Sequence, residues 1–188
     1  MLRRGSARHL DPQATTPRRT FETIVRLGLR GTQVPHVIAV HNIEGLERGL
    51  YRWPDLDRPL RAGDFRHELL LVCWDANLGR DATFVAIAGV DLTRIDDRGY
   101  RETQLDAGMV SGRLHLAAYA LGHGASGMTF LDDECEALLG NGLSGLLITC
   151  VGIPTYTGKT GGMPGRPVEI GLMPTGLTPR DPVRPSTE

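Results

Sequence analysis

The sequence predicts an α+β domain, with helices packed on a small, mostly antiparallel or mixed sheet around a central buried helix. Three observations carry this. Ala82–Val90 (ATFVAIAGV) and Leu143–Val151 (LSGLLITCV) are continuous apolar runs of strand length, as expected of strands buried on both faces. Between them, Leu105–Leu121 carries little charge beyond Asp106 and Arg113. A helix that is apolar all round belongs inside a protein, and about 17 residues at the usual rise would span roughly 25 Å. Small residues at Ala107, Gly108, Gly112, Ala117, Ala118 and Ala120 would let a second backbone, from this chain or another copy, come close. Asp106, Arg113 and His115 argue against a membrane span.

The other elements follow in order. Pro17 suits a first helical turn, and Phe21, Ile24, Val25 and Leu27–Leu29 continue as a short amphipathic helix ending near Gly28 or Gly31. Val34–Val40 reads as a strand, Asn42–Gly49 as a turn region and Leu50–Trp53 as a second short strand. Ala62–Trp74 reads as a helix with Phe65, Leu69, Leu70, Val72 and Cys73 inward. After the central helix comes a glycine-rich turn, Gly122–Gly127, and a helix from Asp133 to Leu139 capped by Asp132. Gly158–Pro167 reads as a loop and Val168–Leu172 as an edge strand. Residues 1–172 form the expected domain, and the prolines at 174, 179, 182 and 185 mark 173–188 as a disordered tail.

Across 188 residues the net charge is −1, with 23% charged residues, so no global field points to nucleic acid or an anionic membrane. The three cysteines, Cys73, Cys135 and Cys150, are far apart and mostly apolar in setting. They read as reduced core residues of a cytoplasmic protein. Gly122-x-Gly124-x-x-Gly127 matches a dinucleotide fingerprint in letters only, because it follows a helix instead of a strand. Gly152 with Gly158-Lys159-Thr160 misses the phosphate-loop spacing by one residue. Asp132, Asp133, Glu134 and Glu136 are explained by the helix macrodipole, and no metal site is expected. None of the six histidines shows ligand spacing. His123 alone lies in a candidate site turn, where an exposed loop residue is expected. Arg4, Ser6 and Arg8 alternate, so an extended segment would project them to one side. Two guanidinium forks and a hydroxyl there suit a phosphate or an electron-rich ring edge.

Together these segments resemble the nitroreductase superfamily, and most closely its SagB-type dehydrogenase branch. Arg3-Arg4-Gly-Ser-Ala-Arg8 resembles the family's arginine-rich opening. Ile43-Glu-Gly-Leu-Glu-Arg-Gly-Leu-Tyr-Arg-Trp53 is similar to its Gly-Leu-Tyr motif. Asp97-Arg-Gly-Tyr-Arg101, Leu105-Asp-Ala-Gly108, Ala120–Asp133 and Val151-Gly152 follow in the family's order. The resemblance implies FMN bound at the interface of an intertwined homodimer. Arg4, Ser6 and Arg8 would contact the phosphate, the ribityl chain or the N1/O2 edge, where positive charge is a lever on redox potential. Gly127, Met128 and Thr129 would place main-chain groups near flavin N5, and Arg166 would meet the phosphate. It implies ping-pong hydride transfer from NAD(P)H to a small-molecule acceptor: a nitroaromatic, a quinone or a natural-product intermediate. The chain lacks the family's Pro-Ser-Ala-Gly-like loop, since Arg26–Pro35 runs straight across that place. That departure favours a second reading, a non-catalytic partner or scaffold subunit that has lost the flavin site. A third is a module that stores or delivers FMN. Arg94-Ile95, where azoline-oxidising members carry Lys-Tyr, argues against an azoline oxidase.

Overall fold

The computed structural model describes residues 5–140 and 142–157. Its centre is β4 (Phe84–Val90), buried along its whole length. Phe84 and Ala86 pack with one helical layer, whereas Val85 and Ile87 pack with the other. This is why the run shows no polar alternation: both faces of the sheet are covered. Continuous apolar strands are usually parallel, yet every pairing here is antiparallel, so two-sided burial and not strand direction sets the pattern. The sheet has six strands in the order β3-β2-β1-β4-β6-β5, with β1 (His36–Val40), β2 (Gly49–Arg52), β3 (Arg61–Ala62), β5 (Gly124–Met128) and β6 (Ser144–Gly152).

On one face lie α1 (Arg18–Gly28) and α4 (Asp97–Ala120). Phe21, Ile24 and Val25 of α1 meet Val110, Leu114, Ala117 and Ala118 of α4 over Ile38, Val40, Phe84 and Ala86. Phe21 and Phe84 stack edge-to-face, with centroids 4.9 Å apart. Gly28 is the crossing point, since a Cβ there would collide with the Leu114 side chain. On the other face, α2 (Arg66–Val72), α3 (Asn77–Asp81) and α5 (Asp132–Leu139) cover Val37, Ala39, Val85, Ile87, Ile148 and Cys150. All three cysteines are buried and free.

Several sequence expectations need correction. The central helix is 24 residues long, about 36 Å at the usual rise. It begins at Asp97 because Asp96 caps it, accepting from the Gly99 N–H at 2.8 Å. It is not apolar and buried all round. Ala107, Val110, Ser111, Leu114, Ala117 and Ala118 face the sheet, while Leu105 and Met109 are 65% and 51% exposed. Its polar residues tie down the loop after α1. Asp106 accepts from the Thr32 hydroxyl at 2.6 Å, and Arg113 donates to the Arg30 carbonyl at 2.8 Å.

Ala62 is strand and not helix: it pairs with Gly49, and the helix starts only at Arg66, after Gly63 turns the chain with φ of 141°. The expected Asp132 cap is instead the first residue of α5, and the N-cap Leu131 donates its N–H to the Val72 carbonyl at 2.9 Å. The expected turn Gly122–Gly127 is largely strand, because Gly124–Met128 bonds to β6 as β5. The Gly158–Pro167 loop, the Val168–Leu172 strand and the 173–188 tail lie outside the described residues. Among the described residues no helix is long and apolar enough to cross a membrane.

Candidate functional site

At the free edge of the sheet, the N-terminal segment lies along β5 and the strand end of β6. Ala7 donates its N–H to the Ala125 carbonyl at 2.8 Å, and Asp11 donates to Ile153 at 2.8 Å. Gly124 permits the crossing, because a Cβ there would stand 2.7 Å from Pro154 Cγ and 3.2 Å from Ala7 Cβ. Ala7 is buried, so Ser6 and Arg8 on either side of it stay exposed. The Arg8 main-chain N–H is fixed by the Tyr156 hydroxyl at 2.7 Å. This is the alternation expected of an extended segment.

These residues open onto a cavity of about 580 Å³, within the usual range for small-molecule sites. The N-terminal segment and β5 contribute Ser6, Ala7, Arg8, Ser126, Gly127, Met128 and Thr129 to its lining, and the break after α2 contributes Cys73, Trp74, Ala76 and Leu78. Five of the seven sequence-marked residues therefore meet in one place: Ser6, Arg8, Gly127, Met128 and Thr129. Arg4 and Arg166 lie outside the described residues. Arg8 is the sole charged side chain among the described residues lining the cavity, so its field favours an anionic or electron-rich group. A Cβ added at Gly127 would meet nothing within 4 Å, so that stretch of main chain is open to a ligand. A polar, cationic side and an apolar side fit a planar heteroaromatic with a polar edge, which is the shape of a flavin.

The Cys73–Leu78 wall was not marked by the sequence. It follows from the break between α2 and α3, where Trp74 and Asp75 have φ of 58° and 55°. Two successive non-glycine residues in this region cost on the order of 1–3 kcal/mol each. Aspartate tolerates this region, but nothing in the sequence marks a tryptophan there. Behind the wall, the neighbouring Cys73 thiol, with burial, raises the Cys150 pKa above the ordinary thiol range, so the Cys150 thiol stays protonated.

His123 is buried, contrary to the exposed position expected of it. Its Nδ1 faces the Leu121 carbonyl at 2.9 Å, so Nδ1 carries the proton and donates. Nε2 then accepts from the Thr16 hydroxyl at 2.9 Å, and Thr16 lies 2.9 Å from the Thr83 hydroxyl. Burial lowers the His123 pKa, in keeping with this neutral tautomer. The residue pins the start of α1, the approach to β4 and the end of α4 to one another. It is a structural residue and does not line the cavity.

A second cavity, of about 600 Å³, lies between α1 and the segment Trp53–Asp57. Its lining carries Arg18, Arg26 and Arg30 with Glu22 and Asp57, Arg18 lying 2.9 Å from Glu22 and 3.8 Å from Asp57, and it holds none of the sequence-marked residues. Among the described residues no group of three metal-ligating side chains occurs.

The known structures similar to this chain share its architecture. A candidate nitroreductase from Anabaena variabilis superposes with a TM-score of 0.74 at 29% identity, over 80% of this chain and 36% of that one. This chain thus spans about a third of that relative's length. An E. coli microcin synthetase complex, McbBCD with truncated pro-MccB17 bound, has a TM-score of 0.67 at 14% identity, over 82% of this chain and 70% of that one. The NADPH:FMN oxidoreductase of Vibrio harveyi, complexed with NAD+, has a TM-score of 0.64 at 18% identity, over 87% and 71%. No protein-family model and no curated protein sequence matches the chain. The chain has a nitroreductase-like fold, a six-stranded antiparallel sheet packed with helices, and its structural neighbours are nitroreductase-family proteins.

Proposed function

We propose that the chain is an FMN-dependent oxidoreductase of nitroreductase type, related to the SagB-type branch and working as a homodimer. One observation carries the reading. The cavity at the β5 edge gathers Ser6, Arg8 and Gly127–Thr129, the described residues at which the family resemblance puts the flavin. In this reading Ser6 and Arg8 hold the polar edge and phosphate side of the cofactor, helped by Arg4 and Arg166. The main chain of Gly127–Thr129 lies toward N5, and Cys73, Ala76, Leu78 and Met128 exclude water from the ring. The chemistry supplied when FMN is bound is two-electron carriage, in ping-pong order, from NAD(P)H to a nitroaromatic, quinone or natural-product acceptor. The positive Arg8 guanidinium would favour electron uptake there.

The homodimer is supported by the outer face of α4. Leu105, Met109 and Leu116 are exposed along one stripe, and Cβ atoms at Gly108 and Gly112 would meet nothing within 4 Å. Such a face lets a second helix approach closely. The free, buried cysteines support a reducing compartment, the cytoplasm. The test is flavin content after desalting. The double variant Arg4→Ala/Arg8→Ala should lose most of its FMN while its apo-protein melts as wild type does. Equal flavin content in variant and wild type would remove these arginines from the site. A strictly monomeric mass in light scattering would remove the dimer.

A further inference from the structure

The turn between α2 and α3 does something ordinary folding does not require. Trp74 and Asp75 both have positive φ, 58° and 55°, and for a residue as bulky as tryptophan this is an outlier conformation. The turn is nonetheless well bonded: Trp74 donates its N–H to the Leu71 carbonyl at 3.0 Å, and Ala76 donates to Cys73 at 3.1 Å. The strain does not serve to bury the side chain. Cys73 beside it is 1% exposed, whereas Trp74 is 67% exposed, the most exposed large hydrophobic residue among the described residues. Leaving so large an apolar surface in water forgoes the stabilisation its burial would give. Strained residues of this kind cluster at ligand clamps, and this one lines the cavity that also holds Arg8 and Gly127.

Resting on the flavin reading above, we propose that Trp74 is the aromatic platform for a planar, electron-poor ring of the acceptor. That makes it a specificity-determining residue for nitroaromatics or quinones over non-planar acceptors. The polar and main-chain positions assigned to the flavin come from the N-terminal segment and the end of β5. Trp74 instead belongs to the α2–α3 turn, where its neighbours Cys73, Ala76 and Leu78 form the apolar wall of the same cavity; among the described lining residues Trp74 alone is aromatic. An electron-rich indole face stacks best on an electron-poor ring, and a rigid tryptophan held by its backbone loses little freedom in doing so.

The chain has two tryptophans, so Trp53→Phe leaves Trp74 as the sole indole. Titrating this variant, without and with FMN, with p-nitrobenzoate should quench its fluorescence saturably; cyclohexanecarboxylate, which has the charge without the aromatic ring, should not. The Trp74→Phe protein, with Trp53 alone, controls for direct absorption by the nitro compound and should show no saturable quenching. In turnover, Trp74→Ala should raise KM for p-nitrobenzoate about tenfold with flavin content and ferricyanide reduction unchanged, and Trp74→Phe should restore most of the loss. Equal quenching of Trp53 and Trp74, or an unchanged KM in flavin-replete Trp74→Ala, would overturn the assignment. So would loss of flavin in Trp74→Ala, which would make Trp74 a cofactor contact. If wild-type protein takes up no FMN, the flavin reading fails separately. The platform is then decided by the cofactor-free titration alone, which supports it if saturable and refutes it if flat.

Discussion

Strands β4 and β5 flank β6 on its two sides, and both pair with it antiparallel. In β4 every residue is buried, and its side chains feed both helical layers. In β5 burial runs out along the strand, from Gly124, Ala125 and Ser126 inside to Gly127 outside, where the cavity begins. The same ladder chemistry thus serves two ends. Where both faces are covered, the strand holds the fold; where the cover stops, its main chain is left available to a ligand. Stability should reside around β4 and be nearly absent at the tip of β5, with ligand binding distributed the opposite way.

The widest separation should come from Phe84→Ala. This fully buried ring packs against Phe21, and its loss should cost about 3–5 kcal/mol in urea denaturation. A cost under about 1 kcal/mol would break the contrast. Acid should act next, and also around β4. His41 donates from Nδ1 to the Ala82 carbonyl at 3.0 Å, and among the described residues its buried Nε2 has no partner. Burial, reinforced by the Arg66 guanidinium, lowers its pKa from 6.5 to about 4. Burial likewise lowers the pKa values of His36 and His123. Between those limits the unfolded chain binds more protons than the folded one, so stability rises with pH. It should be complete above about pH 6.5 and fall toward pH 4, His41 alone contributing about 3 kcal/mol. A flat profile across that window would contradict the buried neutral state.

Gly127→Val sharpens the other side. Its Cβ has open space, so stability should change by no more than about 0.5 kcal/mol. FMN retention should drop about tenfold, because the added branch stands where main chain meets ligand. Loss of fold with no loss of binding would reverse the comparison. Smallest of all should be Glu102→Gln, which breaks the Arg98–Glu102 pair at 2.8 Å; both partners are mostly exposed, and the expected change is under about 0.5 kcal/mol.

Legibility in the sequence followed the same divide. Ala82–Val90 and Leu143–Val151 declared themselves because two-sided burial leaves a continuous apolar run, and the structure begins β4 and β6 within two residues of them. Ser6, Arg8 and Gly127–Thr129 could be picked out together only through a family resemblance, since residues far apart in the chain carry no mark of meeting. What stayed hidden depended on tertiary context. The first turns of α4 look polar because Arg98 and Glu102 face water, so an apolar pattern alone starts the helix too late. His123 looked like a loop histidine because nothing local announces the hydroxyls of Thr16 and Thr83. Trp74 looked like the last residue of a helix because positive φ at tryptophan is imposed by surroundings and not by propensity.

The central claim is that the open end of β5 and the N-terminal segment together form a flavin site. Its most direct test is the visible absorption spectrum of freshly purified protein, recorded before and after adding FMN and desalting. About one flavin per chain, retained by wild type and lost by Arg8→Ala, is the predicted result. Colourless protein that cannot hold FMN would contradict it, and would make this chain a partner or scaffold subunit that keeps the fold without the cofactor.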